Sequence, residues 1–234
     1  MSPSFLRFNI SQLYDRFDSP ITEFDCGLKC APYNANGIPV CFDICQAVPV
    51  AYHQEWDYLQ QNTDLWHVWR GDECLQEPCN PADLRSEVPD HMLMLACQGP
   101  AHCQREFRTF SCRQFPFFPY ITSDDRFLGL AYTWDFESTC WIISHLEAVT
   151  DRYRQEFILL YDQVLAQWDD DFESYANLSA EMREHFAAKK RRIPLLHRNN
   201  GYYLISQLSE RLRRVPAGTF RRFGPFKRQW AVVS

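Results

Sequence analysis

At 234 residues, with 46% hydrophobic and 15% aromatic side chains, the chain can bury a substantial core without disulfides, which weighs against a small secreted scaffold stapled by cysteine pairs. No stretch approaches the roughly 20 apolar residues of a membrane span, and Met1–Ile10 has no basic start leading into an apolar run, so neither a span nor a signal peptide is expected. The net charge of -6 hides an asymmetry: residues 181–234 carry thirteen Lys/Arg against three Asp/Glu, and residues 1–180 carry eleven against twenty-seven.

In chain order, Ser11–Phe17 reads as a short helix, and residues 26–46 are rich in turn formers, from Gly27 to Pro39. Tyr52, Trp56 and Leu59 recur at near-helical spacing and predict a helix over Val50–Gln61. An acidic, proline-containing loop follows over about residues 71–90. Met92–Ala96 is a short apolar run that fits strand or helix. Phe115–Ile121 and Phe127–Thr133 predict a strand pair about a turn at 122–126. Beyond Ile142 the pattern becomes helical: a stripe from Val149 to Trp168 predicts one helix over Leu146–Trp168, a second spans Phe172–Lys190, and Tyr202–Arg214 reads as a third. Pro216, Gly218, Gly224 and Pro225 then predict an extended tail. The expected fold class is α+β, mainly α: an irregular cysteine-rich metal-binding part with a small strand pair, followed by a helical C-terminal part.

All ten cysteines lie in the acidic part: Cys26, Cys30, Cys41, Cys45, Cys74, Cys79, Cys97, Cys103, Cys112 and Cys140. Thiols crowded in this way are either oxidised in pairs or hold metal. With a cytoplasmic location expected, metal is the favoured reading. A tetrahedral ion with metal–sulfur bonds of about 2.3 Å draws its sulfurs to within roughly 4 Å of one another. Positions four apart share a helix face, so Cys26 with Cys30 and Cys41 with Cys45 suit such a site, and a loop shaped by Gly27 is the alternative. No Cys-x2-Cys occurs, which counts against zinc knuckles, thioredoxin-type motifs and ferredoxin spacing.

The second cysteine group, Cys97-Gln-Gly-Pro-Ala-His102-Cys103 followed by Cys112-Arg113-Gln114-Phe115-Pro116-Phe117, resembles the YkgJ-type cysteine-cluster family of zinc- or iron-chelating proteins. The resemblance covers about residues 24–145. It implies that Cys26-Gly-Leu-Lys-Cys30 begins a cysteine knot, that Cys97, Cys103 and Cys112 form its middle, and that Cys140 ends it. The family's adjacent cysteines are missing here, where Ala31-Pro32 stands, so Cys41 and Cys45 are placed less directly. The implied ligands are Cys26, Cys30, Cys41, Cys45, Cys97, Cys103, Cys112 and Cys140, enough for two four-thiolate sites; Cys74 and Cys79 are left open. The implied cofactor is zinc or iron, including an iron–sulfur cluster. The expected organisation is a cysteine-cluster domain over 24–145, a helical extension over 146–214 and a basic aromatic tail over 215–234, the last two read from periodicity and charge.

Arg113 beside Cys112 is suited to offset thiolate charge, and Phe115 and Phe117 either shield the site or simply fill core. His102, next to Cys103, is a lesser ligand candidate. Asp169–Asp171 read as first-turn and capping carboxylates rather than a cation site. No Ser/His/Asp arrangement and no Gly-x-Gly spacing is found. The basic end interleaves arginines with Phe220, Phe223, Phe226 and Trp230, suited to a nucleic acid or acidic partner, or to packing on the chain's own acidic body. The leading functional expectation is therefore a cytoplasmic metal-binding protein with a structural or redox role. The alternatives are a protein-modifying enzyme similar to the flagellin lysine-N-methylases, and a nucleic-acid-binding module.

Overall fold

A computed structural model describes residues 10–34, 37–73, 81–86 and 88–227, with side chains left undescribed at 81–83. The expected first helix is α1 (Ile10–Arg16), which buries Ile10, Leu13 and Tyr14 at helical spacing. The turn-rich segment holds α2 (Gly27–Cys30) and 3-10 turns at Ala31–Tyr33 and Val40–Phe42. Val50–Tyr52 forms β1, and its last residue opens the expected helix, α3 (His53–Asn62). There Glu55 reaches back to the Tyr52 backbone N–H, as in a capping box. Next come β2 (Trp66–Val68), α4 (Pro81–Ser86) and β3 (Met92–Cys97). β3 is the centre of a three-stranded antiparallel sheet ordered β1-β3-β2, with Val50 opposite Met94 and Trp66 opposite Cys97.

The short helix α5 (Phe110–Gln114) leads into the expected strand pair, β4 (Phe117–Ile121) and β5 (Phe127–Tyr132). α6 (Asp151–Gln167) starts where the Thr150 hydroxyl accepts the Tyr153 backbone N–H. Its stripe of Tyr153, Phe157, Leu160, Tyr161 and Val164 is buried. The chain reverses at Trp168 into α7 (Asp169–Ala188), whose first turn carries Asp169, Asp170 and Asp171 at the positive end of the helix dipole. Asp171 is also buried, accepting from Tyr52 Oη at 3.1 Å and facing His91 Nε2 at 3.2 Å.

The segment Tyr202–Arg214 is not a helix. β6 (Ile193–His197), β7 (Tyr202–Ile205) and β8 (Leu212–Arg214) extend β4 and β5 into one antiparallel sheet ordered β4-β5-β6-β7-β8. Ile205, Leu208 and Leu212 have helical spacing, but pairing with β6 buries Ile205 opposite Ile193 while leaving Leu208 85% exposed. Strand pairing with an already buried neighbour overrides the local periodicity.

This sheet corrects the expected fold class. The chain is a mixed α/β fold with two antiparallel sheets, not a cysteine-rich part followed by a helical C-terminal part. β5 pairs with β6, so the larger sheet joins strands from both sides of residue 145, and the two long helices are an excursion between its strands. α7 packs on β4 and α6 on β5. Between them lies a core rich in large side chains, including Tyr120, Tyr132, Tyr153, Phe157 and Phe186. The tail beyond β8 forms 3-10 turns at Ala217–Thr219 and Gly224–Lys227 that seat Phe220, Phe223 and Phe226 in the core. Trp230 lies outside the described residues.

Candidate metal centre

Each cysteine of interest sits on a short element held from behind by the core. Cys26 and Cys30 occur at the start and end of α2, four residues apart. Gly27 between them permits a close approach: a Cβ there would stand 2.8 Å from Pro39 Cγ, and Pro39 leads into the 3-10 turn that carries Cys41. Cys97 ends β3, and Cys103 follows the 3-10 turn Pro100–His102. Cys112 lies in α5, where the Thr109 hydroxyl accepts its backbone N–H at 3.2 Å. Cys140 precedes the 3-10 helix Trp141–Ser144.

Seven free cysteines, Cys26, Cys30, Cys41, Cys97, Cys103, Cys112 and Cys140, all line one cavity of about 380 Å³. Its walls also include Val40, Trp66, Phe107, Phe115 and Trp141, and His102 stands at its edge. Cys41 is solvent-accessible although protein surrounds it, because what it faces is this cavity. Cys45 departs from the expected ligand set: it is held in a disulfide, and a disulfide sulfur is not a thiolate donor. Cys74 and Cys79 lie outside the described residues.

The thiols act on one another in two groups. Burial, then the neighbouring Cys30, pushes Cys26 up to about 11. Burial raises Cys41, helped by Cys26, Cys30 and Cys112, and raises Cys140, helped by Cys41, Cys26 and Cys30. Cys30 is itself raised by burial. On the other side, burial together with Cys97 and Cys103 pushes Cys112 up to about 12, against its bond to Thr109 and the charge of Arg108. Cys26, Cys30, Cys41 and Cys140 thus form one group and Cys97, Cys103 and Cys112 a second, with Cys41 facing both. Burial thus favours the thiol form of Cys26, Cys30, Cys41, Cys112 and Cys140; a bound metal reverses that preference by stabilising thiolate.

The arginine that meets a thiol is Arg108, not Arg113. Arg108 Nε donates to Cys103 Sγ at 3.1 Å, and its guanidinium lies 5.1 Å from the centre of the Phe42 ring. Arg113 is buried with its face to the main chain, donating to the carbonyls of Tyr14, Phe17, Glu106 and Arg108. It fixes α1 and the 105–109 segment around α5 and does not offset thiolate charge. Glu55 works beside it, accepting from Tyr14 Oη at 2.8 Å and from the Phe110 backbone N–H at 2.7 Å. Of the two aromatics, Phe115 reaches the cavity, whereas Phe117 is core on β4. Arg108 carried no motif signal; its place four residues before Cys112 and five after Cys103 was the only cue.

As placed, no three His, Cys, Asp or Glu side chains among the described residues stand close enough together to hold one metal ion. The donor chemistry suits a thiophilic metal, and the thiols border a common space without converging on a single point in it.

No family model, curated protein or solved structure matches this chain.

At the basic end, Arg183, Arg191, Arg198 and Arg222 are paired internally with Glu210, Glu137, Asp162 and Glu147. Arg211, Arg213 and Arg214 are exposed on and beside the edge strand β8, with no ion pair among the described residues. No helix among the described residues is long and apolar enough to cross a membrane.

Proposed function

We propose that this chain holds a metal centre through the thiolates of Cys26, Cys30, Cys41, Cys97, Cys103, Cys112 and Cys140, and that an iron–sulfur cluster suits it better than a single zinc ion. The carrying observation is that every free cysteine among the described residues borders one cavity. A lone tetrahedral zinc needs sulfurs about 3.8 Å apart, given bonds of about 2.3 Å, and no three ligands stand that close here. The ligands of a cluster lie farther apart, because its irons and sulfides occupy the middle. A cavity of about 380 Å³ ringed by thiols supports that larger occupant.

Such a group supplies one-electron transfer; the remaining chemistry belongs to the chain's own residues. The four thiols on α2, the Cys41 turn and Cys140 suffice as one ligand set. The Cys97, Cys103 and Cys112 group adds three more, with Arg108 supplying positive charge to Cys103. Trp66, Phe107 and Phe115 exclude water from one side. Full thiolate ligation leaves no open position for hydrolytic chemistry, which favours a redox or structural role. Thiolate ligation of this kind fits a reducing compartment such as the cytoplasm, whereas the Cys45 disulfide fits an oxidising one.

The test is anaerobic purification followed by iron, zinc and acid-labile sulfide analysis and a visible absorption spectrum. Iron with matching sulfide and a brown, reducible chromophore is expected. Colourless protein carrying zinc would replace the cluster with zinc, and metal-free protein with all seven thiols titratable would end the metal reading.

A second reading concerns partners. Arg211, Arg213 and Arg214, on and beside β8 and without an ion pair among the described residues, support contact with a polyanion such as a nucleic-acid backbone. No exposed aromatic of the described basic end accompanies them, so base stacking has no support there. The protein-modifying enzyme reading rests on the resemblance alone.

A further inference from the structure

A second cavity, of about 540 Å³, adjoins the thiol cavity and shares Phe24, Asp25 and Trp141 as walls with it. Leu28, Lys29, His145 and Arg222 complete its lining. Its floor is a pair of stacked rings: Trp141 and His145 lie 4.1 Å apart at 14°. Both residues are 93% buried, being 7% exposed. Yet the Trp141 indole nitrogen and the His145 Nε2 are buried without a hydrogen-bond partner. A buried polar atom left unpaired costs on the order of 1–3 kcal/mol. Two such atoms on adjacent stacked rings in one cavity call for an explanation.

The rest of the lining says what would satisfy them. Glu147 Oε1 is 3.3 Å from His145 Nδ1 and 3.2 Å from Arg222 Nη2, so it fixes both groups from behind. With Nδ1 turned to the Glu147 carboxylate, Nε2 is the polar atom of the His145 ring left without a partner. Arg222 keeps further N–H groups, and Lys29 brings an ammonium to the lip, 5.8 Å from the centre of the Phe24 ring. The one carboxylate in the lining, Asp25, is occupied in part by the Gly27 backbone N–H at 2.9 Å. Phe24 and Leu28 form an apolar rim and are 45% and 71% exposed, an outlay of apolar surface that packing within the chain does not use. The cavity is far larger than one inorganic anion and falls in the range typical of small-molecule sites.

We infer that this cavity binds an organic anion, one carboxylate or phosphate group on a flat apolar body. The charged group lies among Trp141 Nε1, His145, Lys29 and Arg222, and the body lies against Phe24 and Leu28. The inference stands apart from the metal reading, since none of these side chains is a thiol.

Calorimetric titration of the full chain, purified anaerobically, tests it with four probes: 1-naphthoate, 1-naphthyl phosphate, the neutral 1-naphthalenemethanol and inorganic phosphate. One of the two aryl anions is expected to bind one-to-one with a Kd below about 1 mM. The neutral alcohol and inorganic phosphate should bind at least about tenfold more weakly, as expected for loss of a charge-assisted bond or of the apolar contact. Arg222→Gln and Lys29→Gln should each weaken the anion by about tenfold. Trp141→Phe, which keeps a ring but removes the indole N–H, should weaken it by several-fold. Near-UV circular dichroism and the count of accessible thiols report that each variant is folded. No saturable binding of either aryl anion overturns the inference. So does equal affinity for the neutral alcohol, or wild-type affinity in folded Arg222→Gln and Lys29→Gln proteins.

Discussion

Arg108 Nε lies 3.1 Å from Cys103 Sγ, the one direct arginine–thiol bond among the described residues. A guanidinium so placed stabilises thiolate over thiol. It also sits where Cys41 and Cys112 feel its charge, since both are held lower by it than burial alone would leave them. Arg108→Gln is therefore expected to leave the fold intact and to weaken retention of the proposed metal centre. Loss of metal to a chelator, followed by absorbance, should be several-fold faster than in the parent chain. An unchanged rate would remove Arg108 from the site.

Arg113→Gln should behave in the opposite way. This side chain holds four backbone carbonyls from two segments, 14–17 and 106–108, in a buried position. Its loss leaves those acceptors unpaired at about 1–3 kcal/mol for each one that water cannot reach. The expected result is a large fall in thermal midpoint even in metal-free protein. A variant that melts normally but loses metal would reverse the roles assigned to the two arginines.

How far the sequence revealed this arrangement depends on what kind of signal each part gives. Local patterns were legible: the buried stripe of α6 and the β4–β5 hairpin follow from spacing and turn chemistry within one segment. The β6-β7-β8 extension was not, because Ile205, Leu208 and Leu212 carry a helical period that only pairing with β6 overrides. The cysteine clustering was legible as composition, and seven of the eight proposed ligands do share a cavity. The departure of Cys45 into a disulfide was not, since spacing four from Cys41 looks the same in either state. Arg113 stood next to the motif cysteine and looked like its partner. A helical neighbour in sequence points away from Cys112, however, and the turn before the helix brings Arg108 to the thiols instead.

Glu55 gives the fold a pH dependence of definite sign. Its carboxyl is pushed up to about 7 from an ordinary 4.5, chiefly by burial, against bonds from Phe110, Tyr14 and Tyr52 that favour the charged form. A group raised on folding contributes stability that is fully present below its unfolded value and is lost as pH rises through its folded value. Chemical denaturation of metal-free protein should thus show stability falling between about pH 4.5 and pH 7. Glu55→Gln should flatten that step. A step of equal size in the variant would assign it to another group.

Gly129 is the position where a single methyl group should do most damage. Its φ is +147°, and a Cβ there would stand 2.2 Å from the Leu196 carbonyl oxygen on the neighbouring strand β6. The nearest atoms, Leu196 O, His197 Cα and Arg198 N, are all backbone, which leaves no flexible atom to yield. Gly129→Ala should cost at least about 3 kcal/mol, by the measure of other backbone-strain substitutions. Since β5 and β6 join the two halves of the sheet, the loss should be read as one cooperative shift of the denaturation midpoint. A variant as stable as the parent would mean that the β5–β6 pairing is looser than its register indicates.

The arginines on and beside β8, which have no ion pair among the described residues, allow a quantitative test of the polyanion reading. Each phosphate contact on duplex DNA contributes about 0.9 to the slope of log affinity against log salt. If Arg211, Arg213 and Arg214 each make one contact, the triple glutamine variant should bind more weakly. Its slope should be shallower by about 2.7, with little change in preference among sequences. Arg183 and Arg191, already paired with Glu210 and Glu137, serve as internal controls whose removal should alter stability and not the salt slope. Fluorescence anisotropy with labelled DNA between about 50 and 200 mM salt spans the sensitive range. An unchanged slope in the triple variant would confine these arginines to another purpose: charged side chains on an exposed edge also keep a strand such as β8 from pairing with a second sheet.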